Sequence, residues 1–156
     1  MKRYLLGTNI LLGFSRKAAW AQWAHTTFRL GATDTMAFTS VICRGEILAL
    51  AEKTGWGAAR RRELVLILNR FPTVNIDKEE ILKTYACLDA WTHGKTVSSE
   101  SYPAPPKPAV SMKQNDLWIA ATAKATGATL ITTDKDFDHL HGRILTREFV
   151  DQTSKV

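Results

Sequence analysis

Short apolar segments alternate with helix-like segments along this chain, and no other feature of the sequence constrains its fold as strongly. Strands are predicted at residues 4–6, 37–39, 72–76, 128–132 and 142–145. Helices are predicted at 10–14, 18–30, 40 to about 53, 58–69, 77 to about 94 and 111–126. Alternation of this kind is typical of a central, mainly parallel β-sheet with helices on both faces. The sequence therefore predicts an α/β fold with three layers, α/β/α.

Polar residues and one glycine mark several predicted helix ends. Ser40 and Asp77 are each placed to cap a helix start, and Ser111 with Gln114 matches a capping box. Gly127 is placed to end the last helix. Each of these residues therefore predicts a helix boundary.

The length of 156 residues suits a single domain with one hydrophobic core, spanning 1–156. One stretch, at about 95–110, departs from the alternation because it contains three serines and four prolines. That composition favours an extended, solvated loop. The stretch is too short to separate two domains, so we interpret it as a tolerated insertion within one domain.

The balance of charge and the cysteines limit the classes of function. The formal net charge is +6 and the isoelectric point is about 9.5. This excess of Lys and Arg favours an anionic partner such as nucleic acid or an acidic protein, but a soluble basic protein without such a partner fits equally well. Cys43 and Cys87 form no Cys-x-x-Cys pair, so zinc and redox motifs lack support. Cys43 is interpreted as a buried thiol, which fits a reducing cytosol.

The N-terminus imitates a secretory signal peptide without completing one. Basic residues at positions 2 and 3 precede a largely apolar run from 4 to 14. Thr8 and Asn9 interrupt that run, and Arg16 and Lys17 follow it where a cleavage region should be uncharged. No stretch approaches the roughly 18 apolar residues of a membrane span. We therefore expect a cytoplasmic chain with no membrane partner.

Three acidic residues are predicted at positions where a carboxylate is unusual unless it has a structural or functional role. Glu46 is predicted on a helix face that is otherwise small or apolar, Asp116 on an apolar, Ala-rich helix, and Asp134 just after a strand end. Each also has an ordinary explanation: a salt bridge for Glu46, compensation of the helix dipole for Asp116, and a turn or cap for Asp134. The nearby Asp136 is interpreted as a capping or solvated residue.

Taken together, the three acids suggest a cation site. If they converge, their mutual repulsion requires a hard cation, and oxygen-only ligands suit magnesium or manganese. Such an ion can orient a water molecule, polarise a phosphodiester and stabilise the leaving oxygen. No Ser-His-Asp or Cys-His arrangement is evident, and His139 and His141 are interpreted as surface loop residues.

Four segments in chain order resemble the motifs of the PIN-domain family, in particular those of the VapC-type toxins of bacterial toxin–antitoxin pairs. The segments are 5–12 (Leu-Leu-Gly-Thr-Asn-Ile-Leu-Leu), 39–48, 115–123 and 130–137. Each is weak alone, but their order and spacing agree over nearly the whole chain. The family opens with Asp-Thr-Asn after its first strand, so Gly7 stands where the family has its first aspartate.

The resemblance implies a magnesium-dependent endoribonuclease that acts on RNA, is restrained by a cognate antitoxin and is often a homodimer. It implies that Glu46, Asp116 and Asp134 are metal-binding or catalytic acids, with Mg²⁺ or Mn²⁺ as the ion. Gly7 supplies no oxygen ligand, so we predict weaker metal binding and strongly reduced cleavage for this chain. An engineered or selected inactivating change and a natural degenerate copy both explain this glycine.

Other site residues are also carried over from the resemblance. Thr8, Asn9 and Thr133 are candidates for hydrogen bonds to the acids or to metal-bound water, with helix capping and turn formation as their ordinary roles. Basic residues near the acids in sequence are candidates for contacts with RNA: Arg44, Lys113 and Lys135. The proline-rich stretch is a further candidate for a contact with RNA or a partner, although a tolerated insertion is the preferred interpretation.

Two alternatives to the ribonuclease stay open at this point. The first is a non-catalytic module that keeps the PIN fold and binds an antitoxin or RNA. The second is an α/β phosphatase or phosphotransfer domain that uses Asp134. It ranks last because the first strand lacks the Asp-x-Asp nucleophile of such enzymes.

Overall fold

The structure of the chain is a computed structural model that describes residues 1–99 and 101–153. Within them, the strands are β1 Lys2–Leu6, β2 Thr35–Ser40, β3 Thr73–Val74, β4 Thr129–Thr132 and β5 Arg147–Phe149. The α-helices are α1 Thr8–Ser15, α2 Ala19–Thr27, α3 Val41–Lys53, α4 Ala58–Arg70, α5 Glu79–Thr92 and α6 Gln114–Thr126. A 3₁₀-helix, Lys135–Leu140, follows β4. None of the described helices has the length and apolar character that crossing a membrane requires.

The strands form one sheet in the order β3-β2-β1-β4-β5, and every neighbouring pair is parallel. Successive residues of a strand point to opposite faces of the sheet. Leu5 and Leu6 of β1 are both fully buried, and so are Leu130 and Ile131 of β4. Both faces of the central strands are therefore covered, which explains why these strands read as continuous apolar runs. The predicted α/β fold is confirmed, and its described strands are wholly parallel.

Two predicted helix boundaries are confirmed. The Ser40 hydroxyl accepts a hydrogen bond from the Ile42 amide at 3.1 Å and so caps α3. Gly127 ends α6 with a φ of 67°, in the left-handed region that glycine adopts without a Cβ clash.

The caps predicted at Asp77 and Ser111 are wrong. The helices concerned begin two and three residues later, at Glu79 and Gln114, and the residue before each makes no side-chain cap. Instead, acidic side chains in the first turns, including Glu79 and Asp116, interact favourably with the positive end of each helix dipole.

The strand predicted at 142–145 is also wrong. The Gly142 amide donates to the Leu145 carbonyl at 2.9 Å, and Gly142 has a φ of 73°, so these residues form a tight turn. Ile144 and Leu145 are buried, which gave the segment a strand-like apolar pattern. The last strand is β5, which pairs with β4 at the edge of the sheet.

The segment at 95–110, predicted to be extended and solvated, packs against α5 in its described residues. The indole N–H of Trp91 donates to the carbonyl of Pro103 at 2.9 Å, and the hydroxyl of Tyr102 donates to the carbonyl of Thr84 at 3.4 Å. Burial raises the pKa of Tyr102 to about 12. A buried Trp requires a partner for its N–H, and here the loop supplies it. Most of its described residues are exposed and none belongs to a helix or strand, as predicted, but these contacts attach the segment to α5.

Candidate metal centre

A cavity of about 140 Å³ opens where β1 and β4 end side by side in the sheet. In parallel α/β sheets, ligands bind outside the carboxyl ends of the strands. We call this space the acidic cavity. It is lined by Gly7, Thr8, Asn9, Glu46, Asp116, Ile119, Leu130, Thr132, Asp134 and Phe137.

The three acids singled out from the sequence meet at this cavity. Glu46 comes from α3, Asp116 from the first turn of α6, and Asp134 from the end of β4. One carboxylate oxygen from each of Asp116, Asp134 and Asp136 lies within 4.8 Å of the others. We call these three residues the carboxylate cluster. Glu46 lines the same cavity but lies outside that close group.

Asp136 is exposed, as its interpretation as a capping or solvated residue predicted, but it also belongs to the cluster. Asp134 takes the capping role, because its carboxylate accepts a hydrogen bond from the Asp136 amide at 2.8 Å at the start of the 3₁₀-helix. The Asp134 amide in turn donates to the Thr132 hydroxyl at 3.0 Å. The sequence did offer a signal for Asp136, namely two acids at positions i and i+2 after a strand. That spacing alone does not reveal which side chain faces a cavity.

The electrostatics of the site are most visible at Asp116. Burial is the largest cause that raises its pKa, from 3.8 to about 6, and the negative charges of Asp134, Glu46 and Asp136 add to the effect. The nearby ammonium group of Lys113 acts in the opposite direction. The site therefore concentrates negative charge that the protein itself leaves only partly balanced.

The polar residues that follow β1 support the acids unequally. The Thr8 hydroxyl donates to a carboxylate oxygen of Glu46 at 2.8 Å, which ties α1 to α3 across the cavity. Asn9 instead donates to the Thr133 hydroxyl at 3.1 Å. Thr8 thus contacts an acid as predicted, whereas Asn9 and Thr133 contact each other.

Gly7 ends β1 with backbone angles that any residue can adopt, φ −70° and ψ 165°. Its amide donates to the carbonyl of Ile131 at 2.9 Å. A Cβ at this position would lie 3.2 Å from that carbonyl oxygen and 3.7 Å from the Thr132 hydroxyl. A side chain here therefore requires the β4 backbone at Ile131 to shift by a few tenths of an ångström. Since Gly7 lines the acidic cavity, a longer acidic side chain here would start at its wall.

Two of the three basic candidates line one cavity, and the third lies elsewhere. Arg44 donates to the Thr73 hydroxyl at 3.3 Å, at the start of β3, and does not line the acidic cavity. Lys113 and Lys135 line a second cavity, of about 470 Å³, which we call the loop cavity. The loop cavity is lined by Val110, Ser111, Met112, Lys113, Asp116, Lys135, Asp136, Asp138 and His139.

The two histidines near the cluster differ in burial. His141 is exposed as predicted, and its ring accepts a hydrogen bond from the Arg147 amide at 3.0 Å. His139, predicted to be a surface residue, is half-buried, and burial lowers its pKa. Neither ring lines the acidic cavity.

The residues of the site suit a divalent cation of the hard type. Every charged ligand atom that they offer is a carboxylate oxygen, the donor that magnesium and manganese prefer. Burial and, after it, the neighbouring carboxylates raise the pKa of Asp116, and a bound cation would favour its charged form. Phe137, Ile119 and Leu130 give the cavity apolar walls, which limit solvent screening at the site.

Comparisons with known proteins agree with this geometry. The family model described as PIN domain matches residues 4–142. VapBC2 from Rickettsia felis, solved bound to a DNA fragment from its promoter, superposes with a TM-score of 0.75 at 22% identity over 96% of this chain and 99% of that chain. VapBC-1 from nontypeable Haemophilus influenzae gives a TM-score of 0.69 at 20% identity over 97% and 99%. At these identities the likeness concerns the fold. No curated protein matches the sequence.

Proposed function

Because this chain belongs to the PIN-domain family, we propose that it is a metal-dependent endoribonuclease of the VapC toxin type. The observation that carries the proposal is the carboxylate cluster, which lies beside Glu46 at the carboxyl ends of β1 and β4. A group of acids with no nucleophilic Ser or Cys in the cavity lining suits hydrolysis by an activated water molecule.

In this proposal Asp116, Asp134 and Asp136 hold Mg²⁺ or Mn²⁺, and Glu46 adds a fourth carboxylate to the lining of the acidic cavity. When bound, the ion supplies Lewis-acid polarisation of the phosphodiester and activation of water. Thr8 positions the Glu46 carboxylate through its 2.8 Å hydrogen bond. The hydrogen bonds around Asp134 fix its side chain before any ligand arrives, so little reorganisation accompanies binding.

Gly7 is proposed to impair this activity. The family resemblance expects an aspartate at this position, and the backbone angles there are ones that any residue adopts. Without it, three predicted acids remain where the family has four, and the cation loses one anionic ligand. We expect weaker metal binding and slower cleavage than in a chain that carries the acid.

The proposed partners follow the same family. We propose that a cognate antitoxin restrains this chain, because the similar structures are VapBC complexes. A homodimer and a cytoplasmic location remain predictions. Analytical ultracentrifugation of the purified chain, alone and with a co-expressed antitoxin, tests the first of these.

The substitution Gly7→Asp tests the function, with Gly7→Asn as the matched control of nearly equal size and no charge. We expect Mg²⁺-dependent cleavage of single-stranded RNA to rise on the order of 100-fold in Gly7→Asp, the scale on which lost electrostatic stabilisation acts. Gly7→Asn should stay at the level of the unmodified chain. Adding Asp116→Asn to Gly7→Asp should remove the gain. Equal rates for the Asp and Asn variants would contradict the proposal.

A second candidate function is a PIN-fold module that binds an antitoxin or RNA without cleaving it. The absence of a side chain at Gly7 favours it, because a binding module has no need of a complete acidic site. Cleavage by Gly7→Asp separates the two. An enzyme impaired at this position alone regains cleavage, whereas a binding module that has also lost its other catalytic requirements stays inactive.

A further inference from the structure

The loop cavity adjoins the carboxylate cluster and lies where the chain passes from the proline-rich insertion into α6. Asp116 and Asp136 belong to both the cavity and the cluster, so a molecule in the loop cavity lies directly against the acids. The opposite wall comes from Val110, the last residue of the insertion, and from Met112 and Lys113, which follow it. This cavity is therefore a place where a substrate bound at the acids can extend.

We propose that the loop cavity binds one nucleoside of single-stranded RNA, next to the phosphodiester that lies at the carboxylate cluster. Val110 and Met112 contact the base, and Lys113 and Lys135 bind the adjoining phosphate. The inference rests on the proposed ribonuclease function and deepens it, because it assigns a role in holding the substrate to residues between the insertion and α6.

The chemistry of the walls matches a nucleotide. Met112 and Val110 are half-buried and apolar, and a thioether makes favourable contacts with flat aromatic rings. Lys113 and Lys135 are exposed and can approach a phosphate, although the Lys135 ammonium also lies over the Phe149 ring, 5.8 Å from its centroid. Asp138, a further acid of the cavity wall, is held in an ion pair with Arg147 at 2.9 Å and is thereby partly neutralised.

The cavity also has the size and the rigidity that a subsite needs. Its volume of about 470 Å³ falls in the range of small-molecule sites, about 300–1,000 Å³. The Val110 amide donates to the carbonyl of Thr92 at 2.9 Å, and Trp91 holds Pro103 at 2.9 Å. These contacts fix the insertion before RNA binds, so the cost of ordering it is already met.

The three methionines of the chain make the test specific to this cavity. Met112 lines it, whereas Met1 and Met36 line a separate cavity formed by other residues. With the methionine methyl groups labelled with carbon-13, the unmodified chain is titrated with a short single-stranded RNA of mixed sequence and Mg²⁺. We expect the Met112 methyl resonance to shift and saturate, while those of Met1 and Met36 stay in place.

A charge substitution supplies an independent readout. Lys113→Gln should weaken RNA binding by roughly 10-fold or more, as expected for one lost hydrogen bond to a charged group. It should also reduce the slope of log affinity against log salt by about 0.7, the value for one phosphate contact on a single strand. Lys107→Gln is the matched control, since Lys107 is an exposed lysine on the nearby insertion that does not line the cavity. It should leave the Met112 shift unchanged and alter affinity less.

The outcomes separate this inference from the proposed function. If Gly7→Asp cleaves RNA but RNA leaves the Met112 resonance unmoved, the subsite is refuted and the ribonuclease stands. If Met112 responds and Lys113→Gln weakens binding while Gly7→Asp never cleaves, the nucleotide site stands and the ribonuclease falls. If the unmodified chain does not bind RNA and Gly7→Asp does not cleave it, both proposals are refuted. Equal losses in Lys113→Gln and Lys107→Gln also refute the subsite.

Discussion

Replacement of Asp116 by Asn is expected to stabilise the metal-free chain at neutral pH. Burial, followed by the charges of Asp134 and Glu46, raises the pKa of Asp116 from 3.8 to about 6. A carboxyl group whose pKa is raised by folding ionises more readily in the unfolded chain, so its ionisation favours unfolding. The cost is absent well below pH 3.8, grows between pH 3.8 and about 6, and is complete above that range.

The expected size follows from the shift and its surroundings. One pKa unit corresponds to about 1.4 kcal/mol, so the shift corresponds to about 3 kcal/mol before correction. Asp116 is only half-buried, and solvent screening reduces that figure to roughly 1–2 kcal/mol. The substitution also removes a first-turn carboxylate that favours the helix dipole, worth about 0.5 kcal/mol. A net gain of about 1 kcal/mol remains, or about 2–4 °C in Tm for a chain of this size.

Thermal unfolding in the presence of a chelator measures this gain at about pH 7.5 and at about pH 3.5. Asp116→Asn should unfold at a higher temperature than the unmodified chain at the first pH, and the two should nearly coincide at the second. Asp77→Asn is the matched control, because Asp77 is exposed and lines neither cavity. A gain that is absent at neutral pH, or equally large in acid, would refute the electrostatic reasoning.

Three further predictions concern the metal site and the core. Mg²⁺ should raise Tm at about pH 7.5 and much less at about pH 5, below the pKa of Asp116, because a ligand carboxyl must be deprotonated; an increase independent of pH in scanning fluorimetry would contradict this. Thr39→Val should lower the free energy of unfolding in urea by about 1–2 kcal/mol, since the fully buried hydroxyl donates to a strand carbonyl at 3.0 Å. Gly13→Ala should lower the free energy of unfolding by about 1–3 kcal/mol in the same assay, because the new Cβ would clash with the Trp20 ring. Gly45→Ala is the contrasting variant: its new Cβ meets open space inside α3, so it should raise the free energy of unfolding by about 1 kcal/mol.

The order of strands and helices was predictable because buried parallel strands have a plain signature. Leu5 and Leu6 point to opposite faces of the sheet, and both are apolar and buried. The apolar run ends at Gly7, where the chain leaves the sheet. The error at the last strand has the same origin. Ile144 and Leu145 are as apolar as strand residues, but they are buried in a turn, and the sequence does not distinguish the two kinds of burial.

The sequence identified most residues of the candidate site, but it did not predict how their side chains are arranged. Glu46 and Asp116 drew attention because acids on apolar helix faces need a reason, and both line the acidic cavity. Asp136 was missed because its place in the cluster depends on how the 3₁₀-helix turns the chain after Asp134. The packing of the insertion depends on hydrogen bonds to distant residues, such as that from Trp91, which composition does not reveal.

The central claim is that Asp116, Asp134 and Asp136 together hold a divalent ion. Anomalous X-ray diffraction from crystals grown with Mn²⁺ locates such an ion directly. We predict a manganese peak in the acidic cavity within coordination distance of at least two of these carboxylates, stronger in Gly7→Asp than in Gly7→Asn. A well-ordered acidic cavity with no peak in either variant, or manganese only elsewhere on the surface, would contradict the claim.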